Sequence, residues 1–180
     1  MQDADLEKYC ILAVDRGATH ARQIHPGSVV TAPWVRLKCQ YGCPSYDRGY
    51  CCPPYTPTPE QTRAVLDSYH RALLFHLELP PAPGRGKTLN KYFETLIDLE
   101  IEMFLDGYYK ALIFLCGPCG HCKECAKVKG EPCNSRDRAR PSMEACGIDV
   151  YQTAWNNGFF IKPVRDKSET ANIYCLMLAD

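Results

Sequence analysis

The amino-acid sequence predicts an α+β fold, in which a small mixed sheet with flanking helices carries two cysteine-rich loops. The first observation is a stripe of apolar residues at helical spacing in residues 89–108. The second is a set of compact apolar runs of strand length at residues 71–79, 110–115 and 173–178. Because strands and helices alternate along the chain, both cysteine loops are expected at ends of the sheet.

Three further elements follow from local signals. Residues 34–38 predict a short strand that leads into the first cysteines. A helix over residues 60–69 is predicted after a proline-rich turn. Asp149 and Gln152 have the spacing of a capping box, which predicts a helix that ends near Gly158.

The length and charge of the chain restrict its class. A chain of 180 residues predicts one domain, residues 1–180, with a sizeable core. Its 21 basic and 21 acidic residues demand neither a nucleic acid nor a membrane surface as partner. The apolar runs are too short to cross a bilayer, and the charged N-terminal segment lacks the apolar core of a signal peptide. A cytoplasmic protein is therefore expected.

Twelve cysteines are many for such a chain. In a reducing compartment clustered cysteines are typical of metal sites, whereas disulfide frameworks belong to secreted chains. Cys10 and Cys175 stand alone in apolar stretches and are expected to be small buried residues. The other ten form an N-terminal group (Cys39, Cys43, Cys51, Cys52) and a C-terminal group (Cys116, Cys119, Cys122, Cys125, Cys133, Cys146), in loops at about residues 39–55 and 116–146.

The C-terminal group has the stronger spacing signal. Three consecutive C-x2-C steps, followed by Cys133, suit a loop wrapped around a [4Fe–4S] cluster. Zinc, which usually takes two separated C-x2-C pairs, is the alternative metal. The expected ligands are Cys119, Cys122, Cys125 and Cys133, because Cys116 ends an apolar strand and is expected to point into the core. The pattern does not decide whether Cys116 or Cys146 binds.

Charge around this loop is consistent with an anionic cluster. Residues 116–140 contain six basic and three acidic side chains, an excess of three positive charges. Four thiolates around a [4Fe–4S]2+ core carry two negative charges, which such an excess stabilises. The same excess suits a docking face for an acidic redox partner protein.

The N-terminal group is less regular. Proline follows Cys52, as is common at cluster ligands, so Cys39, Cys43 and Cys52 form a candidate set of three ligands. Cys51 is expected to point the other way, although the spacing does not decide whether it binds. Three ligands leave one iron open to act as a Lewis acid on a substrate. Structural zinc and free thiols remain alternatives here.

Taken together, these motifs resemble a known family. The matching segments are Lys38-Cys39-x3-Cys43, Cys52-Pro-Pro-Tyr55, Gly117-Pro-Cys119-x2-Cys122-x2-Cys125, Pro132-Cys133 and Arg140-Pro-Ser-Met-Glu-Ala-Cys-Gly-Ile-Asp-Val150. Over about residues 30–162 the chain resembles the DUF2284 family of predicted metal-binding proteins, which are common in anaerobic bacteria and archaea. The resemblance implies cysteine-bound metal, with iron–sulfur expected, and leaves the reaction open.

Three functional hypotheses follow. The first is an iron–sulfur protein that transfers electrons or serves as an accessory to a redox enzyme. The second is an enzyme whose open-iron cluster at Cys39, Cys43 and Cys52 performs non-redox lyase or sulfur-removal chemistry. The third is a zinc-stapled binding module. Outside the loops, Glu100 lies at the edge of the helical stripe and is expected to pair with an arginine.

Overall fold

The computed structural model describes residues 4–180; the first three residues of the charged N-terminal segment lie outside the described part. The helices are α1 (Ala4–Asp15), α2 (Pro33–Gly42), α3 (Pro59–Leu66), α4 (Arg85–Leu105) and α5 (Val150–Asn156). The strands are β1 (His20–Ile24), β2 (Ala72–Leu79), β3 (Leu112–Phe114) and β4 (Ala171–Leu178). The predicted α+β class is confirmed.

The four strands form one sheet in the order β1-β2-β4-β3. A mixed sheet was the expectation, but all three strand pairings are antiparallel, with Phe75 opposite Cys175 in the central pair. β2 lies between two neighbours and is buried at every position except Glu78. A strand that is covered on both faces is apolar along its whole length, whether it pairs in a parallel or an antiparallel way. The sequence of β2 therefore does not indicate the direction of its neighbours.

The two faces of the sheet carry separate cores, because successive side chains of a strand point to opposite sides. On one face Leu73 and Phe75 pack with residues of α1 and α4, such as Leu96. On the other face Leu74 packs with residues of α3 and of the segment before α5, such as Met143.

Most predicted elements are confirmed, with shifted ends. The helix over residues 60–69 begins at Pro59 and ends at Leu66, capped by the Thr58–Gln61 capping box. The helix over 89–108 begins four residues earlier and ends at Leu105. The Asp149 side chain accepts a hydrogen bond from the Gln152 backbone, as an N-cap does. Cys10 and Cys175 are buried, as predicted.

One predicted strand is wrong, and two elements were not predicted. Residues 34–38 lie in helix α2, where Pro33 occupies the first helical turn. The five-residue window was too short to distinguish a strand from a helix. Helix α1 and strand β1 have no counterpart among the elements predicted from the sequence. Within the described residues, no helix is long and apolar enough to cross a membrane.

Candidate metal centres

The two cysteine loops contact each other. Tyr50 in the first loop donates a hydrogen bond to the backbone oxygen of Glu131 in the second, at 2.8 Å. The Lys127 ammonium lies 2.6 Å from an Asp47 carboxylate oxygen and 4.7 Å from the centre of the Tyr55 ring. These contacts hold two segments that are distant in sequence against each other.

Thiols from both loops surround one cavity of about 320 Å³, here called the six-cysteine cavity. It also contacts Pro44, Pro118 and Val128, so part of its wall is apolar. Its cysteines are Cys51, Cys52, Cys119, Cys122, Cys125 and Cys133. The four ligands predicted from the C-terminal group therefore lie together, and two cysteines of the N-terminal group join them.

Within this cavity Cys51 and Cys119 share a hydrogen bond. The bond lowers the pKa of the Cys119 thiol to about 6, and it is also the main cause that raises the pKa of Cys51. The lowered pKa of Cys119 favours its thiolate, which is the form in which cysteine binds metal. The Cys133 sulfur accepts a hydrogen bond from the Ser135 backbone N–H at 3.4 Å.

Gly49 leaves space beside two of the sulfurs. A Cβ atom at this position would lie 3.8 Å from the Cys52 sulfur and 4.0 Å from the Cys125 sulfur. The missing side chain therefore keeps the space between two thiols open.

Cys39, Cys43 and Cys116 line a second cavity of about 290 Å³, which we call the Glu144 cavity. The first two come from the C-terminal end of α2, and Cys116 follows β3. Cys52, the predicted partner of Cys39 and Cys43, lines the six-cysteine cavity instead. Burial is the main cause that raises the pKa of Cys52 to about 11, and the nearby thiols of Cys43 and Cys39 add to it. The Cys52 thiol therefore lies close to both the N-terminal and the C-terminal cysteines, since Cys119 and Cys125 also contribute.

The Glu144 carboxylate faces the thiols of the second cavity. Its Oε1 atom lies 3.5 Å from the Cys116 sulfur, and its Oε2 atom is buried without a hydrogen-bond partner among the described residues. Burial raises the pKa of the Cys116 thiol well above its usual range, and Glu144 adds to that effect. Burial, Cys43 and Glu144 raise the pKa of Cys39 in the same way.

A polar group on the sheet is not predicted by the sequence. The Nδ1 atoms of His20 and His76 lie 3.1 Å apart, and His76 Nε2 is 2.8 Å from the Asn172 side-chain oxygen. These residues line a sheet-face cavity of about 780 Å³, and its Asn172 and Tyr174 also line the Glu144 cavity. The signal was absent from the sequence because His20 and His76 face each other only through the β1–β2 register.

Some basic side chains of the second loop form ion pairs with other parts of the fold. Arg138 pairs with Glu94 and, at 2.7 Å, with Asp98. The expected arginine partner of Glu100 is confirmed as Arg140, at 2.7 Å. Lys123, Lys129 and Arg136 remain exposed on the surface of the loop.

Both cavities fit a group of several atoms. Among residues 4–180, no three His, Cys, Asp or Glu side chains are arranged to hold one metal ion. Instead the thiols surround spaces of about 320 and 290 Å³. The open position at Gly49 and the unpartnered Glu144 oxygen fit a bound group in the first and second space, respectively.

Comparison with known proteins agrees with a metal-binding role. No curated protein and no solved structure matches this chain significantly. A family model, described as "Predicted metal-binding protein (DUF2284)", matches residues 22–179, which include both cysteine loops and all four strands except the first two residues of β1. The chain therefore belongs to the DUF2284 family of predicted metal-binding proteins.

Proposed function

We propose that this chain is an iron–sulfur protein that transfers electrons or serves as an accessory to a redox enzyme. Its [4Fe–4S] cluster lies in the six-cysteine cavity, on Cys119, Cys122, Cys125 and Cys133. The observation that supports this proposal is that all four thiols line one cavity of about 320 Å³.

The size of the cavity favours a cluster over zinc. Structural zinc draws four ligands to about 2.3 Å from a single ion, so their sulfurs nearly touch. A cubane instead holds its four cysteines at the corners of a larger body. Thiols spread around a cavity of this size match the second arrangement.

The surroundings of the cavity suit an electron carrier. Hydrogen bonds to ligand sulfurs tune the reduction potential of a cluster, and here Ser135 and Cys51 contribute such bonds to Cys133 and Cys119. The exposed Lys123 and Arg136 lie on the same loop as the ligands. They provide the positive charge by which an acidic partner protein would be attracted.

Metal analysis of anaerobically purified protein tests the proposal. We expect iron and sulfide in equal amounts, little zinc, and the visible absorbance of cysteine-bound iron. Cys122→Ser should remove about four iron atoms per chain. The matched control is Cys10→Ala, at a buried core position, which should keep them. Colourless protein with stoichiometric zinc would instead identify a zinc-stapled module.

An enzyme is the second candidate, and the Glu144 cavity favours it. Beside Cys39 and Cys43 this cavity reaches Tyr174, whose buried hydroxyl lacks a hydrogen-bond partner among the described residues. A cluster with an open iron beside Cys39 and Cys43, for which the sequence predicts Cys52 as the third ligand, would supply Lewis-acid chemistry for a lyase or sulfur-removal reaction. Spectra of the reduced protein that do not respond to any candidate ligand would contradict this role.

A further inference from the structure

We infer that the Glu144 cavity is a second metal centre, in which Cys39, Cys43 and Cys116 hold a [4Fe–4S] cluster and the Glu144 carboxylate binds its fourth iron. This centre shares no ligand with the cluster proposed in the six-cysteine cavity. It also differs from the ligand set that the sequence predicts, because Cys116 takes the place of Cys52 and an oxygen ligand is added.

Local structure brings the three cysteines to one cavity. Cys39 lies in the last turn of α2 and Cys43 caps its end, so the two are one helical turn apart and share a face. Cys116 immediately follows Leu115, which forms a bridge with Ser142. This bridge places the segment that follows β3, which contains Cys116, beside the segment that contains Glu144.

Glu144 is held in place by its own turn. It begins a short 3-10 helix, Glu144–Cys146, whose Ala145 N–H donates to the Ser142 hydroxyl at 3.1 Å. The Arg36 side chain of α2 donates to the Ala145 backbone oxygen at 3.3 Å, which ties this turn to the helix that carries Cys39. The carboxylate is thus positioned by backbone contacts on both sides.

The surroundings of the Glu144 carboxylate favour a bound cation. Its Oε2 atom is inaccessible and unpartnered among the described residues, and the group near Oε1 is a thiol, which is a weak donor. A buried carboxylate oxygen without a partner is costly, and coordination of a metal is one way to compensate that cost. An iron in the adjacent cavity would satisfy the carboxylate and the three thiolates together.

Charge and size agree with a cubane. Three thiolates and one carboxylate carry the same charge as the four thiolates of an ordinary cluster. Lys38 lines the cavity, and the positive charge of Arg36 acts on Cys39. The cavity of about 290 Å³ is close in volume to the six-cysteine cavity, at about 320 Å³.

Iron content of reconstituted variants tests the second centre. Wild-type protein should contain about eight iron atoms, and Cys119→Ser and Cys43→Ser should each contain about four. If Cys43→Ser keeps all the iron of the wild type, the second centre is refuted, whatever the first cavity holds. If only Cys119→Ser keeps its iron, the proposed function fails and the second centre stands.

The choice between Cys116 and Cys52 is tested in the Cys119→Ser background, where only the second centre remains. Adding Cys116→Ser should remove the remaining iron, and adding Cys52→Ser should leave it. The reverse result would restore the ligand set predicted from the sequence and overturn ours. Because Cys116 is half-buried and packs against the core, Cys116→Ser is also made alone, and the intact spectrum of the first cluster then verifies that the variant folds.

The role of Glu144 is tested by electron paramagnetic resonance of the reduced protein, with cyanide as the probe. Glu144→Ala should open the fourth iron, so that cyanide shifts the spectrum of the second cluster, while the wild-type spectrum changes little. Glu7→Ala is the control, since Glu7 is exposed on α1 and lines neither cavity. An equal response of wild type and Glu144→Ala would exclude Glu144 as a ligand.

Discussion

The Glu100 carboxylate accepts a hydrogen bond from Arg140 Nε at 2.7 Å, and its second oxygen accepts one from the Ile113 backbone N–H at 2.8 Å. One buried side chain of α4 thereby joins β3 to the segment that closes the second cysteine loop. Cys116 and the four ligands proposed for the six-cysteine cavity lie in the chain between these two contacts, at Ile113 and Arg140.

Replacing Glu100 with glutamine should therefore destabilise the fold. The substitution leaves the Arg140 guanidinium without its carboxylate, and breaking a largely buried pair costs about 2–4 kcal/mol in the free energy of unfolding. Glu102→Gln on the same helix is the matched control, because its partner Arg16 is bound at a more exposed site, and it should cost less than about 1 kcal/mol. Urea unfolding of both variants measures the difference, and equal losses would show that burial of the Glu100 pair is unimportant.

Gly49→Leu should prevent metal from entering the six-cysteine cavity while the chain still folds. The added side chain begins 3.8 Å from the Cys52 sulfur and extends into the space between the thiols. Gly86→Leu is the control, since a Cβ at Gly86 meets no atom within 4 Å. Iron content and far-ultraviolet circular dichroism are measured for both. Normal iron in Gly49→Leu would mean that the bound group does not occupy this space.

His76 should make the stability of the protein depend on pH. Its side chain is buried against His20, Asn172 and Tyr174, and this burial lowers its pKa below the usual value of 6.5. The unfolded chain therefore binds the proton more readily than the folded chain. The stability that this group contributes is fully present above the unfolded pKa and is lost as the pH falls below it.

The test compares urea unfolding at pH 7.5 and 5.5. His76→Gln should lose less stability between these two pH values than the wild type does, even though it starts from a lower value. His70→Gln is the control at an exposed position and should retain the dependence of the wild type. An unchanged pH dependence in His76→Gln would assign the effect to other groups.

The sequence was most informative where a signal is local. The helical stripe of α4 and the apolar runs of β2 and β4 predicted their elements, and the C-x2-C steps predicted four thiols that do lie together. These features need only neighbouring residues, because helix and strand periods are properties of short segments.

Features that depend on distant contacts were not predictable. The bond between Cys51 and Cys119, the approach of Cys116 to Glu144, and the pair His20–His76 each join segments far apart in the chain. Each of these residues can be found in the sequence, but the strand register and the packing of the loops decide which of them are in contact. For the same reason Cys52 was assigned to Cys39 and Cys43 on spacing, although it lines the other cavity.

Cys51 provides the last prediction, because its side chain interacts with that of Cys119 and we propose that it donates a hydrogen bond instead of binding metal. If Cys119 binds iron, a hydrogen bond to its sulfur stabilises the reduced, more negative cluster and raises the reduction potential. Cys51→Ala removes that donor, so the potential should fall by on the order of tens of millivolts at unchanged iron content. Cys51→Ser keeps a donor of similar size and should lie closer to the wild type.

Redox titration of the three proteins, followed by visible absorbance, measures these potentials. The comparison is informative because alanine and serine differ mainly in the hydroxyl that replaces the thiol donor. Loss of about four iron atoms in Cys51→Ala would instead make Cys51 a ligand. In that case one of Cys119, Cys122, Cys125 and Cys133 would have to leave the proposed set, and single serine variants at these four positions would identify which one.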